Sequence, residues 1–355
     1  MTREGGPEGS APNPGAVARE SRPRTGSRPI AAEDLEERVL QNAHGDRITV
    51  LNFGARLTRI QLQLPGGARD VILGYENRAA YLSDPYFMGA TVGRTCNRIA
   101  GASFNLDGID YPLDANEGLN HLHGGAGGFH NRLWSIDASA PEDTVRFTLY
   151  SADGDQGYPG AVEASVTYRW TDTRELLVRV EAVTDRPTHV NMTNHSYFNL
   201  AGDGENVLAH RLRVAARHIL KVDDDLLPTG DLLDLTGSVL DLRESMVLHD
   251  VIESRQPLIV RHRGLDFNYV LDETGAGAEL ESPSRDLRLH VRTTCPGLQV
   301  YSGQKLDSPF APYRGMCLEP QHFPDTPNQP TFHGTLLVPG ERYSQTTKYN
   351  FIAVG

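Results

Sequence analysis

Two short stretches carry groups that could move a proton. In Val190–Leu200 (VNMTNHSYFNL), His195 stands among short polar side chains and two aromatics, a poor composition for a core strand. An imidazole changes charge near neutral pH, and rings beside it suit a sugar; a satisfied structural histidine is the plainer alternative. In Cys317–Pro330 (CLEPQHFPDTPNQP), Glu319 ends an apolar run. Partial desolvation there raises a carboxyl pKa and makes it a better base near neutrality. Asp266, between Leu265 and Phe267 in Gly264–Leu271 (GLDFNYVL), is similarly placed. Two such carboxylates could also hydrolyse a glycoside, and the residues alone leave that open.

Other groups could hold a ligand. Asn97 and Arg98 in Gly93–Gly101 (GRTCNRIAG) offer fixed donors for hydroxyl groups, with a surface ion pair as the plain alternative for Arg98. His121 and His123 in Asn120–Phe129 (NHLHGGAGGF) are two apart, so a strand would point them the same way. A metal pair of this kind needs further ligands, yet glycines follow and no carboxylate. His123 is better read as a neutral hydrogen-bonding group, with the glycines letting a loop approach a ligand closely. No GxxxxGK[ST] run stands at P-loop spacing. Asp223-Asp224-Asp225 lacks the alternate spacing of a calcium loop, and Pro228 occupies the position that demands glycine.

These groups must be positioned by strands. Ile48 and Val50, Ile60, Leu62 and Leu64, Val145, Phe147 and Leu149, Val166, Tyr168 and Trp170, Leu176, Val178 and Val180, and Leu287, Leu289 and Val291 all recur with a period of two. That period marks strands with one buried face, and turn signals such as Pro65-Gly66-Gly67 and Pro339-Gly340 separate them. Helical periodicity is scarce: Ala31–Leu40 predicts one short amphipathic helix and Asn77–Leu82 a turn. Without a strand–helix–strand rhythm, the expected architecture is all-β, a large antiparallel β-sandwich. Residues 33–355 are expected to form this single domain. Residues 1–32, rich in Gly, Pro, Ser and Arg, are expected to be a disordered tail.

The 355 residues include 34 Lys+Arg against 46 Asp+Glu, a formal charge of -12. Nucleic acid and anionic membranes call for clustered positive charge, so neither is expected as a partner. No apolar run approaches the ~18 residues of a spanning helix. Cys96, Cys295 and Cys317 form no close pair, and reduced thiols fit a cytoplasmic protein.

Taken in order, GRTCNRIAG, NHLHGG, NHSYFNL, GLDFNYVL, GLQVYSGQKLD and CLEPQHFPDTPNQP resemble the aldose 1-epimerase (galactose mutarotase) family over essentially the whole chain after the tail. The resemblance implies the galactose mutarotase-like supersandwich, with His195 as general acid and Glu319 as general base. Asn97, Arg98, His123, Asp266 and Gln299 would hold sugar hydroxyls, with Tyr197 a weaker candidate. It implies a free aldose as substrate, neither metal nor nucleotide, and a monomer or weak homodimer. A phosphosugar enzyme of related fold would add a basic clamp; none stands out, Arg94 and Lys305 being the basic residues left to consider. Cys96 stands where such sequences often have Ala and could crowd the pocket.

Overall fold

A computed structural model describes residues 28–202, 204–273 and 275–354. Most of the expected tail therefore lies outside the described residues. Two large sheets dominate. One has nine strands, in the order Ser135–Ile136, Thr144–Ser151, Val162–Trp170, Glu175–Thr184, Tyr343–Ala353, Leu287–Thr293, Gly277–Glu281, Arg211–Val214 and Met246–Val247. The other has six: Tyr197–Phe198, Met316–Gln321, Gly297–Tyr301, Asp266–Val270, His218–Val222 and Pro228–Asp234. A four-stranded sheet of Glu37–Gln41, Arg47–Leu51, Arg56–Leu64 and Gly67–Asp70 adds to them. Neighbours within all three sheets pair antiparallel. The result is the large antiparallel sandwich that the period-two runs predict.

The alternating apolar residues bury one face of each sheet in a shared core. Phe147, Tyr168 and Val180 of the nine-stranded sheet join Val50, Leu57 and Ile60 of the four-stranded sheet and Leu298, Val300 and Leu318 of the six-stranded sheet. Phe198 of the six-stranded sheet packs on Tyr349 of the nine-stranded one, ring centroids 5.3 Å apart. Each such fully buried side chain contributes roughly 1.5–3 kcal/mol.

The six-stranded sheet is buried on both faces along its central strands, and the register decides what the second face presents. Asp266 pairs with Tyr301, Tyr301 with Cys317, and Cys317 with Tyr197. One row along, Asn268 pairs with Gln299, and Gln299 with Glu319. Antiparallel partners share a face, as do residues two apart on one strand. Phe267, Val300 and Leu318 therefore enter the core while Asp266, Gln299 and Glu319 stand together on the opposite side.

The sequence reading fails at Ala31–Leu40. Only Ala32–Asp34 forms a single 3-10 turn, and Glu37–Gln41 is a strand paired with Arg47–Leu51. Pairing outweighs local propensity there: Leu40 is buried, while Val39, on the other side of the strand, is 56% exposed. Two short helices, Leu248–Ile252 and Pro257–His262, carry no period long enough to reveal them. The expected turn at Asn77–Leu82 is a 3-10 segment, Arg78–Ser83, whose first turn is capped by the Asn77 side chain.

Candidate active site

The polar face of the six-stranded sheet forms one wall of a cleft of about 180 Å³. Glu319, Gln299, Asp266, Tyr301 and Tyr197 come from its strands, while His195 comes from the segment between Thr193–Asn194 and Tyr197–Phe198. Loops supply Phe87, Asn97, Arg98, Glu117 and His123 from the other sides. The eight residues given an acid, base or hydroxyl-holding role in the sequence reading thus line one cavity. Larger hollows lie on the outer sheet surfaces; one of about 480 Å³ also holds an imidazole–carboxylate pair, His290 and Glu279 at 2.7 Å, but both side chains there are about a third exposed.

The backbone of His195 is held at both ends: its N–H donates to the Ala90 carbonyl at 2.9 Å, and its carbonyl accepts from the Gly89 N–H at 2.9 Å. Gly89, at φ +65°, leaves no room for a side chain, since a Cβ would sit 1.9 Å from the Leu57 carbonyl oxygen. That close approach fixes where the imidazole enters the cleft.

His195 Nε2 lies 3.8 Å from Glu319 Oε1. The two residues are only 5% and 2% exposed. Burial holds the Glu319 carboxyl well above its ordinary range, and the nearby Asp266 charge adds to that. Burial also pushes the His195 imidazole down to about 4, against the pull of its own backbone and of Asp84 and Asp266. Both groups therefore resist charge until something polar enters. Glu319 Oε2 and Gln299 Oε1 are buried with no hydrogen-bond partner, so the wall has unmet capacity for donors such as hydroxyl groups.

The remaining groups are held by one another. Gln299 Nε2 donates to Asp266 Oδ1 at 2.9 Å, and Lys305 Nζ lies 3.7 Å from Asp266 Oδ2. Arg98 does make the ion pair of its plain reading, a fork from Nε and Nη2 to Glu117 at 2.7 Å each, but it does so buried at the cleft wall. The Asn97 N–H donates to His123 Nδ1 at 3.2 Å. That leaves the neutral His123 ring its proton on Nε2, and burial keeps the ring neutral. The Tyr197 hydroxyl donates to the Tyr86 carbonyl at 3.1 Å.

Several expectations change. His121 and His123 do not point the same way, because the strand ends at Leu122 and His123 turns to φ +53°. His121 instead contacts the Asp114 carbonyl at 2.6 Å and the Tyr158 hydroxyl at 2.8 Å, which occupies both ring nitrogens. The glycines after His123 bring loop to loop, not loop to ligand: a Cβ on Gly124 would meet the Gly93 carbonyl oxygen at 1.9 Å. Cys96 does not crowd the cleft; its thiol lies 3.5 Å from Gln321 Oε1. Of the two clamp candidates, Arg94 is buried elsewhere, donating to the carbonyls of Pro159 and Gly160. Lys305 is at the cleft but faces Asp266.

Sequence reasoning missed Phe87, Tyr301 and Glu117. The Phe87 ring lies 4.6 Å from His123, 4.6 Å from His130 and 5.8 Å from His195. Its φ of +55° follows from loop packing and leaves no pattern in the sequence. Tyr301 could have been found, because it follows Gln299 at the same-face spacing of two. Among the described residues, His195, Cys317 and Glu319 form the one group of His, Cys, Asp and Glu donors that could hold a metal, with atoms within 4.8 Å of one another. A cation there would occupy the same atoms that could carry protons.

An antiparallel sandwich with a buried imidazole–carboxyl pair beneath a polar cleft is the fold and site to set beside known proteins. The family model for aldose 1-epimerase matches residues 37–350. The chain is 36% identical over 331 residues to an aldose 1-epimerase of Escherichia coli (strain K12), covering 89% of this chain and 94% of that one. It is 37% identical over 339 residues to a galactose mutarotase of Bos taurus, covering 92% and 96%. A solved aldose epimerase homologue from C. elegans superposes with TM-score 0.84 at 29% identity, covering 90% of this chain and all of that one. The chain belongs to the aldose 1-epimerase family, and so to the isomerases. No helix among the described residues is long and apolar enough to cross a membrane.

Proposed function

We propose that the cleft interconverts the α and β anomers of a free hexose, galactose or glucose, by opening and reclosing the ring. The observation that carries this is the buried His195–Glu319 pair, 3.8 Å apart within the sugar-sized cleft. Glu319 takes the proton of the C1 hydroxyl as the protonated His195 gives one to the ring oxygen. The C1–ring oxygen bond breaks and C1 becomes an aldehyde. Rotation about C1–C2 presents the other carbonyl face. The C5 hydroxyl then returns its proton to His195 as it attacks, while Glu319 returns its own to the C1 oxygen. Each positioned proton transfer is worth on the order of 10²–10⁴ in rate.

Asn97, Arg98, His123, Asp266 and Gln299 bind the hydroxyls in this scheme, with Tyr197 beside the pair. Arg98 is already neutralised by Glu117, and Lys305 faces Asp266, which favours a free sugar over a phosphorylated one. Asp266 is engaged by Gln299 and Lys305 while Glu319 faces an imidazole, which favours isomerisation over a two-carboxylate hydrolysis. Residues 33–355 act in this reading as one domain of a cytoplasmic monomer or weak homodimer. Polarimetry of freshly dissolved α-D-glucose and α-D-galactose tests it. Faster approach to an unchanged final rotation, lost in Glu319→Gln, is the expected outcome. A folded protein that accelerates neither sugar, or a Glu319→Gln variant as fast as the parent, would refute it.

A further inference from the structure

We infer that Glu117 sets the charge specificity of the cleft: it clamps Arg98 for neutral hydroxyl groups and, by cancelling that guanidinium's charge, turns away sugars that carry a carboxylate or a phosphate. This deepens the proposed reading of the cleft as a site for a free hexose, and rests on it. Two bonds of 2.7 Å join the residues, Nε to Oε2 and Nη2 to Oε1. Such a fork fixes the plane of the guanidinium as well as its position. Among the described residues it occupies Nε and Nη2 and leaves the Nη1 N–H groups for a ligand, and both side chains line the cleft.

The carboxylate is held independently of the arginine. Glu117 and Asn120 exchange backbone hydrogen bonds of 3.1 and 2.9 Å, which close the turn between them. The Asn120 side chain accepts from the Gly101 N–H at 3.0 Å. That of Asn116 accepts from the Leu122 N–H and donates to the Leu122 carbonyl. Leu122 is the strand partner of Arg98. The loop is therefore tied on both sides of Glu117 to the backbone around Arg98, so the acid positions the base.

Among the described residues two cationic side chains line the cleft, and each faces a carboxylate: Arg98 faces Glu117, and Lys305 faces Asp266. They are not equivalent. The Lys305 side chain is 60% exposed and screened by water, whereas that of Arg98 is 9% exposed. A guanidinium taken out of water needs a counter-charge. Without Glu117, an anionic group on the sugar would supply it. With Glu117 in place, that anion meets a carboxylate, while a neutral hydroxyl still finds its donors.

The test is binding, which does not depend on turnover. Isothermal titration calorimetry on the full chain gives Kd for D-galactose, D-galacturonate and D-galactose 6-phosphate, at one ionic strength, in the parent, Glu117→Gln and Glu117→Asp. The parent is expected to bind both anions roughly tenfold or more weakly than galactose. Glu117→Gln keeps the side chain's length and removes its charge. It should weaken galactose by roughly two- to tenfold, the range of one net hydrogen bond, while tightening both anions by roughly tenfold. A loop that merely loosened would weaken all three together. Glu117→Asp keeps the charge but shortens the reach, so it should weaken galactose and still refuse the anions. Anions bound as tightly as galactose by the parent, anions no tighter in Glu117→Gln, or anions admitted by Glu117→Asp as readily as by Glu117→Gln would each overturn the inference. Should Glu117→Gln fail to fold, refusal of both anions by the parent and Glu117→Asp supports the inference, and admission by either overturns it. Galactose bound as expected but not accelerated in polarimetry would overturn the anomer reading and leave this one standing; a parent that binds none of the three sugars overturns both.

Discussion

The molecule buries two pairs of a basic and an acidic side chain in different ways. Arg56 and Asp84 are closed: the guanidinium meets the carboxylate at 2.6 Å and donates to the carbonyls of Met88 and His130. Asp84 in turn accepts from the Tyr75 hydroxyl and the N–H groups of Tyr86 and Met88. His195 and Glu319 are just as buried but stand 3.8 Å apart, with one carboxyl oxygen unpartnered. The first pair spends its hydrogen bonds on the loop that carries Phe87. The second keeps its own free for a ligand. Arg56 Nε is unpartnered too, but Glu319 Oε2 is unpartnered at a cleft wall: neither burial nor unmet capacity marks a site alone, and the two together at a cleft do.

Breaking the open pair should change chemistry and little else. Glu319→Gln and His195→Asn are each expected to lower kcat on the order of 10²–10⁴-fold, with the urea unfolding midpoint nearly unmoved. Breaking the closed pair should do the reverse. Asp84→Asn leaves Arg56 buried without its counter-charge and should destabilise the fold by about 3–5 kcal/mol, read as an earlier urea midpoint. An Asp84→Asn protein as stable as the parent would erase the contrast between the two.

Asp266→Asn sharpens the comparison. A lost hydrogen bond to a charged acceptor should raise KM roughly ten- to a hundredfold, with a smaller change in kcat. The pH profile is the finest probe. Below about pH 4 the imidazole is protonated and the carboxyl neutral, so the base is lost. Once pH passes the raised Glu319 value, the pair loses its last proton and the acid is gone. Between these limits the pair holds one proton, and the productive form has it on His195. The profile is therefore expected to be a bell whose limbs belong to the pair as a whole. Removing the Asp266 charge lowers both values, so both limbs should move to lower pH in Asp266→Asn. Limbs that stay in place would separate Asp266 from the pair.

Much of this was legible because the strands alternate. In GLDFNYVL, GLQVYSG and CLEPQ the pairing register puts Asp266, Gln299 and Glu319 on the face away from the core; the sequence reading reached Asp266 and Glu319 through their apolar neighbours and Gln299 only through the family resemblance. The loops gave no comparable signal. Phe87 reaches the cleft through a left-handed residue in a segment tied to Arg56, 31 positions earlier in the chain. His121 and His123 were paired by spacing, but the turn at His123 sends one ring to Tyr158 and the other to the cleft. Ala31–Leu40 reads as a helix until its partner strand is known. Periodicity reports what a strand does with its own two faces; it is silent on what a distant loop brings to meet them.

The near-complete burial of His195 and Glu319 has a kinetic consequence. On the proposed roles, each proton that leaves the sugar during opening returns to it during closure, so no proton crosses from bulk solvent within a turnover. Mutarotation by small acids and bases in solution quickens as buffer is added. Here the rate should be indifferent to buffer concentration at fixed pH, because on these roles the protein supplies its own conjugate acid and base beside the sugar.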